Sequence, residues 1–184
     1  GGFSDALEET ISDLATVGTG IIKGPCIEYE RALEWKPGWE PSVERRHRMK
    51  FYRVDPFDFF PSPDADDVEN AAYVCERVKW MRVHLVDLKD VDGYNAAEID
   101  KCLTNNPDGV SVPQKEDSER RALANRPDNQ ENPDEVLNGI EYTGLAQGSM
   151  LREWGLQDVD DLGEYEINAV LIDEFVVYAI LNPT

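Results

Sequence analysis

Three carboxylates fall within four positions at Asp64, Asp66 and Asp67, directly after Pro63. Oxygen ligands at that density can hold a divalent ion, and a held ion can polarise a phosphoryl or acyl group for hydrolysis. A metal-dependent hydrolase built on Asp64, Asp66 and Asp67 is therefore one reading. It lacks a neighbouring histidine, and carboxylates near a helix start satisfy free amides without any metal. Asp90, Asp92 and Gly93 invite comparison with a calcium loop. Placing Gly93 at the glycine position puts Leu88 first and Ile99 last, where oxygen ligands are required. Asp158, Asp160 and Asp161 read as a solvated loop. Neither His47 nor His84 has the second histidine or cysteine that a transition-metal or nucleophile site needs. No catalytic, cofactor-binding or metal-ligating residue is assigned from the sequence, and no enzymatic activity is expected.

The remaining motifs concern binding. Arg45-Arg46-His47-Arg48-Met49-Lys50 is the only basic run. It could grip phosphate, but in so acidic a chain a strand that pairs its cations with carboxylates is the preferred reading. Gly18-Thr19-Gly20 followed by Gly24 is not a phosphate loop, because the glycines follow a helix and precede a strand, the reverse of the required order. Cys26, Cys75 and Cys102 are three widely spaced thiols, an odd count that fits buried, reduced cysteines better than disulfides or zinc. The formal net charge is -20. A surface this negative repels nucleic-acid phosphate and anionic lipid, so DNA binding by the chain itself is not expected. An acidic adaptor or inhibitor that mimics DNA and binds a basic partner is the alternative in the binding class. No run approaches the roughly 18 apolar residues of a membrane span, and no membrane partner is expected. The start, Gly1-Gly2-Phe3-Ser4, lacks methionine and reads as a tag scar ahead of internal sequence.

The elements that must position these residues follow from periodicity and breakers. A helix opens at Ser4-Asp5, carries Leu7, Ile11 and Leu14 on one apolar face, and ends at Gly18. A strand runs over residues 21–29, interrupted at Gly24-Pro25. Trp35, Pro37, Gly38, Trp39 and Pro41 mark a turn within residues 31–42, before a strand over residues 49–54. Three prolines, Pro56, Pro61 and Pro63, forbid regular structure, yet Phe57, Phe59 and Phe60 must be buried, so residues 55–64 form an ordered, packed loop. Residues 73–81 form a strand, 82–91 a helix, and Asn95 caps another helix carrying Ala97, Ile99 and Leu103. Residues 139–145 form a strand and 149–154 a helical turn. Residues 164–172 and 175–181 form a β-branched hairpin about Asp173-Glu174. The organisation is a helix–strand module over 1–103 with the Pro-rich aromatic loop, a flexible polar excursion over 104–135 with a short helix over 117–125, and an acidic β-hairpin segment over 136–184 that packs on the first part. From Pro127 onward Arg152 is the only cation against thirteen carboxylates. The fold class is α+β, mostly antiparallel strands with several short helices.

Several segments in order resemble portal proteins of tailed bacteriophages, of the podovirus-associated kind. They are Gly18-Thr-Gly-Ile-Ile-Lys-Gly-Pro25; Arg53-Val-Asp-Pro-Phe-Asp-Phe-Phe-Pro-Ser-Pro-Asp-Ala-Asp-Asp67; Tyr73-Val-Cys-Glu-Arg77; Gly93-Tyr-Asn95; Gln147-Gly148 with Leu151-Arg-Glu-Trp-Gly155; and Tyr165-Glu-Ile-Asn-Ala169 with Leu181-Asn-Pro183. The resemblance spans nearly the whole chain except about 104–135, and residues 56–64 are its most specific part. It implies a structural head–tail connector component, an internal piece of the peripheral wing region. The parent would self-associate into a ring, typically of about twelve subunits, at one capsid vertex. DNA would be packaged and ejected through the ring without binding this piece. Capsid, scaffold, packaging-motor and tail proteins would be partners, and the location would be the virion after assembly in the host cytoplasm. The stem helices and tunnel loop of the family are not recognisable here, so no channel or motor-docking residue is assigned.

Overall fold

The helix expected at the start forms as α1, Gly2–Val17, in a computed structural model that describes residues 2–110 and 136–182. It begins two residues ahead of the expected Ser4 opening, with Asp5 in its first turn, where a carboxylate suits the positive end of the helix. It stops where the Gly18 N–H donates to the Leu14 carbonyl at 3.1 Å. The polar helix expected over 117–125, and most of the 104–135 excursion, lie outside the described residues. Contacts divide the chain into two compact units, residues 1–56 and 57–184.

In the first unit, β1 (Ile21–Lys36) and β2 (Glu40–Val54) pair antiparallel as a long two-stranded ribbon. The long turn expected over 31–42 shrinks to Pro37-Gly38-Trp39, with the Trp39 N–H donating to the Lys36 carbonyl at 3.0 Å. Breakers located the turn, but the apolar alternation of Leu33 and Trp35 carries strand geometry almost up to it. The interruption at Gly24-Pro25 is absorbed as a register shift between Lys23 and Cys26. Gly24 has φ +146°, and a Cβ there would stand 2.7 Å from the Phe51 ring, so only glycine fits.

Helix α1 packs against β2, but not through Leu7, Ile11 and Leu14, which all stay exposed. The inward side carries Ala6, whose small side chain permits close approach and is buried. Phe3 meets the Phe51 ring edge-on at 5.0 Å. Asp13 accepts from both Nε and Nη2 of Arg53, the latter at 2.8 Å, and this hydrogen bond holds the Arg53 pKa above its ordinary value. A bidentate ion pair thus docks the helix by a side adjacent to the one periodicity pointed to.

The second unit is built on an antiparallel sheet of β3 (Phe59–Pro61), β4 (Tyr73–Met81), β5 (Val136–Gln147), β6 (Glu164–Ile172) and β7 (Phe175–Leu181), in that order. Three short helices accompany it: α2 (Arg82–Asp87), α3 (Ala96–Asn105) and α4 (Gly148–Glu153). The fold is therefore α+β, with mostly antiparallel strands and four short helices among the described residues. Both sheet faces are covered. On one, Leu85, Ile99 and Cys102 pack on Leu137, Val170, Ile172 and Val177; on the other, Leu151 and Val159 pack on Ala146, Ile167 and Ala169. Double coverage explains why adjacent residues of β6, Ala169 and Val170, are both buried. The Asn95 side chain caps α3, its Oδ1 accepting from the amides of Ala97 at 3.1 Å and Glu98 at 3.2 Å.

The Pro-rich loop is ordered as a single 3-10 turn, Pro56–Asp58, leading into β3. Phe57 and Phe59 are half-buried, whereas Phe60, expected inside, is 45% exposed. Strand alternation on a short edge strand sends successive side chains to opposite faces, and the Arg77 guanidinium lies over the Phe60 ring at 5.6 Å. The buried residue of this segment is Ser62. Its N–H donates to the Tyr73 carbonyl at 2.9 Å and its hydroxyl accepts from the Ala72 amide at 3.2 Å, pinning the loop to β4.

Candidate functional site

The carboxylates that a hydrolase would need do not converge. Asp64, Asp66 and Asp67 are all exposed, and Asp67 accepts from the Asn70 amide at 2.9 Å, closing its own turn. Among the described residues no group of three or more His, Cys, Asp or Glu side chains is arranged to hold a metal ion. Asp160 and Asp161 serve the loop after α4: Asp160 receives the Leu162 amide at 3.4 Å, and Asp161 pairs with Arg152 at 3.0 Å. His47 lies on β2 and His84 on α2, in different units.

An open groove of about 470 Å³ runs along the α4 side of the sheet, lined by Cys75, Arg77, Ile140, Tyr142, Met150 and Trp154. Its wall is mainly hydrocarbon and aromatic. Burial pushes the Cys75 thiol up, so it stays protonated and is a poor nucleophile. Burial pushes the Tyr142 phenol up as well, and its hydroxyl donates to the Leu145 carbonyl at 2.6 Å. Arg77 is occupied at 3.6 Å by Asp58. The groove can accept an apolar side chain; Arg77 and Tyr142 are committed to the fold, whereas Asn138, also in its lining, has a buried Oδ1 with no hydrogen-bond partner among the described residues.

The ribbon of the first unit is the other candidate surface, and strand register defines it. Ile27 stands opposite Met49 and Leu33 opposite Val43, with Trp35 two residues on from Leu33. Side chains alternate between faces, so these five share one face, in two groups separated by the register positions of Tyr29, Arg31, Arg45 and His47. All five are exposed, from 58% at Leu33 and Trp35 to 71% at Met49. The opposite face carries charge. Glu28 stands opposite Arg48 and Glu30 opposite Arg46, and Arg46 makes an ion pair with Glu34. The basic run is thus part of a strand in which Arg46 is paired with Glu34, while in register Arg45 stands opposite Arg31 and Lys50 opposite Cys26. Trp35 and Trp39, 6.2 Å apart, add an aromatic tip.

Sequence patterning found the basic strand and the aromatics beside it. It missed the exposed pairing of Leu33 with Val43, because the segment holding Leu33 and Trp35 read as turn rather than strand. Searches with the sequence find no matching protein-family model and no matching curated protein.

Proposed function

We propose that this chain is a structural, non-enzymatic portion of a portal protein of a tailed bacteriophage, from the wing region, serving head assembly and genome packaging. The observation that carries the reading is the ordered series of portal-like segments, with residues 53–67 the most specific. The same stretch is built as a fixed element, pinned through Ser62 and the Arg77–Phe60 contact, which suits a structural rather than a mobile role. Exposed Leu33, Trp35, Val43 and Trp39 near the tip of the ribbon suit a protein that meets neighbours in an assembly. The charge of -20 suits a particle through which DNA must slide without sticking. On this reading the parent self-associates as a ring at one capsid vertex and meets capsid, scaffold, packaging-motor and tail proteins.

The test is electron microscopy of the parent protein carrying this chain. Closed rings with an axial channel are expected, and gold-labelled antibody against this chain should mark a single vertex of tailed particles. A parent that forms no ring, or label spread over the whole capsid, overturns the proposal.

A further inference from the structure

Two open features of the chain complement each other in chemistry and in charge. The first is the groove on the α4 side of the sheet. Tyr142 and Trp154 give it two rings and Met150 a thioether, a wall that favours an aromatic guest over an aliphatic one. Its volume of about 470 Å³ falls in the range that holds a small organic group. One polar group in the lining is unused. Asn138 donates through Nδ2 to the Val110 carbonyl, which fixes how its amide faces, and its Oδ1 is buried with no hydrogen-bond partner among the described residues. A buried acceptor without a donor is destabilising, and a guest that brings one N–H relieves it. The groove therefore suits an aromatic group with one donor. A tyrosine hydroxyl would bring an acceptor too, whereas an indole N–H only donates.

The second feature is the turn that ends the ribbon. Trp39 is 83% exposed, the most exposed of the four tryptophans, and its ring lies 6.2 Å from that of Trp35. The Trp39 backbone is at φ 62°, a left-handed conformation that glycine or asparagine adopts at less cost than a bulky residue. The turn thus presents a large ring to solvent in a conformation that lowers stability, which suits a ring kept for a contact elsewhere. Charge sets the two features apart. Residues 21–54 carry eight lysines and arginines against five glutamates, a net of +3. Residues 57–184 carry ten lysines and arginines against 28 carboxylates, a net of -18. The cationic ribbon carries the indole and the anionic unit carries the groove, so their approach is favoured. Lys36, three residues before Trp39, and Asp173, in the groove lining, are both exposed.

We propose that the groove is a binding site for the Trp39 indole of a second copy of this chain, seated among Tyr142, Met150 and Trp154 with its Nε1–H donating to Asn138 Oδ1. Because Oδ1 is buried, side chains around it change rotamer as the ring enters, a common response on binding. The contact is heterologous: each copy offers one tip and one groove, and copies join head to tail. It stands on these two features and does not depend on the portal reading. An aromatic side chain buries about 150 to 250 Å², well below the roughly 800 Å² per partner of a stable complex. Association is therefore weak and rises with concentration. At about 0.15 M salt the Debye length is about 8 Å, which screens the like charge of two copies at a distance.

Complementation with the full chain tests this. The tip variant is Trp35→Ala with Trp39→Ala. The groove variant is Ile140→Glu, at a 47% exposed lining residue that stands opposite Arg77 in register, so the new carboxylate has a cationic neighbour. Circular-dichroism melting is the folding control, and Met150→Glu, also exposed in the lining, replaces the first groove variant if that one melts early. Sedimentation velocity is run over rising concentration at about 0.15 M salt. The unaltered chain should form dimers and longer strings, and each variant alone should stay monomeric. An equimolar mixture should form dimers and nothing larger, because only the intact groove of one variant and the intact tip of the other can meet. In nuclear magnetic resonance spectra of the associated chain, the Trp39 indole N–H should be protected from exchange with solvent, and in the groove variant it should not. A monomeric unaltered chain overturns the proposal, even with that N–H protected, since the ring would then dock within its own chain. Self-association of the tip variant, a mixture that stays monomeric, or an indole N–H that exchanges freely in an associated sample overturns it as well. None of these results bears on whether the parent forms a ring through other surfaces.

Discussion

Replacing Gly148 by alanine should loosen the α4 side of the sheet while leaving the ribbon unit untouched. Gly148 opens α4 directly after β5, and its N–H donates to the Gly163 carbonyl at 2.8 Å. A Cβ at this position would lie 1.8 Å from the Asp160 carbonyl oxygen and 2.7 Å from its carbon. Ordinary contact needs about 3.4 Å, so the backbone of the Asp160 loop must retreat by roughly 1.5 Å. That loop carries Val159, which fills the cluster with Leu151 and Ile167. It also receives the Arg152 guanidinium on the Val159 carbonyl at 2.9 Å, and its Asp160 amide donates to the Tyr165 hydroxyl at 2.8 Å. Overpacking costs about 1 to 3 kcal/mol, and a weakened hydrogen bond about 1 more. The expected loss is about 2 to 4 kcal/mol. Native-state hydrogen exchange reads it locally. Amides of Ile167 and Ala169 should exchange about 30-fold to several hundred-fold faster, at 1.4 kcal/mol per factor of ten. The Phe51 amide, in the other unit, is the internal control. Exchange at Ile167 within about threefold of the unaltered protein would refute the reasoning, since the loop would then yield without cost.

Arg53→Met should cost about 2 to 3 kcal/mol, because it strips the partner from an Asp13 carboxylate that is only 15% exposed; adding Asp13→Asn should recover part of the loss, and α1 amides that exchange no faster in the single variant would contradict this. Asn95→Ala removes both side-chain bonds at the start of α3 and should lower stability by about 1 kcal/mol, read as a shifted urea midpoint; an unchanged midpoint would show that solvent replaces the cap. Burial pushes the Cys75 and Cys102 thiols above their ordinary 9.0 and the Tyr94, Tyr142 and Tyr178 phenols above 10.0. Folded groups therefore hold their protons longer than unfolded ones, so stability is complete below about pH 9 and falls as pH rises through the raised values; a urea midpoint constant through about pH 10.5 would sink the idea. Duplex DNA should not be retarded by the chain at physiological salt, and a salt-sensitive gel shift abolished by neutralising Arg46 and Arg48 would show the basic strand outweighing the global charge.

Much of the second unit was legible in the sequence because its signals are local. The closing hairpin is a β-branched run on each side of Asp173-Glu174, and Asp173 takes φ 55° as that tight turn requires. The Asn95 cap needs only a side-chain oxygen next to a helical pattern, and the α+β class follows from the count and type of such elements. Charge alone set the expectation about DNA. What the sequence could not decide was which apolar face would find a partner. Periodicity marked Leu7, Ile11 and Leu14 as a face of α1, yet Ala6 and the Asp13–Arg53 pair hold the helix by the side next to it. Ala6 offers too little surface to register in a hydrophobic pattern, and an ion pair joining residues forty positions apart leaves no periodic trace at all. Pro37, Gly38 and Pro41 made residues 31–42 read as turn, and only pairing with β2 drew Leu33 and Trp35 into one exposed face with Val43. Ser62, the buried polar residue of the Pro-rich loop, was passed over for the phenylalanines around it, because its burial depends on the Ala72 and Tyr73 backbone of a later strand. Local chemistry wrote the elements; the pairing of distant segments chose which surfaces stay open to a neighbour.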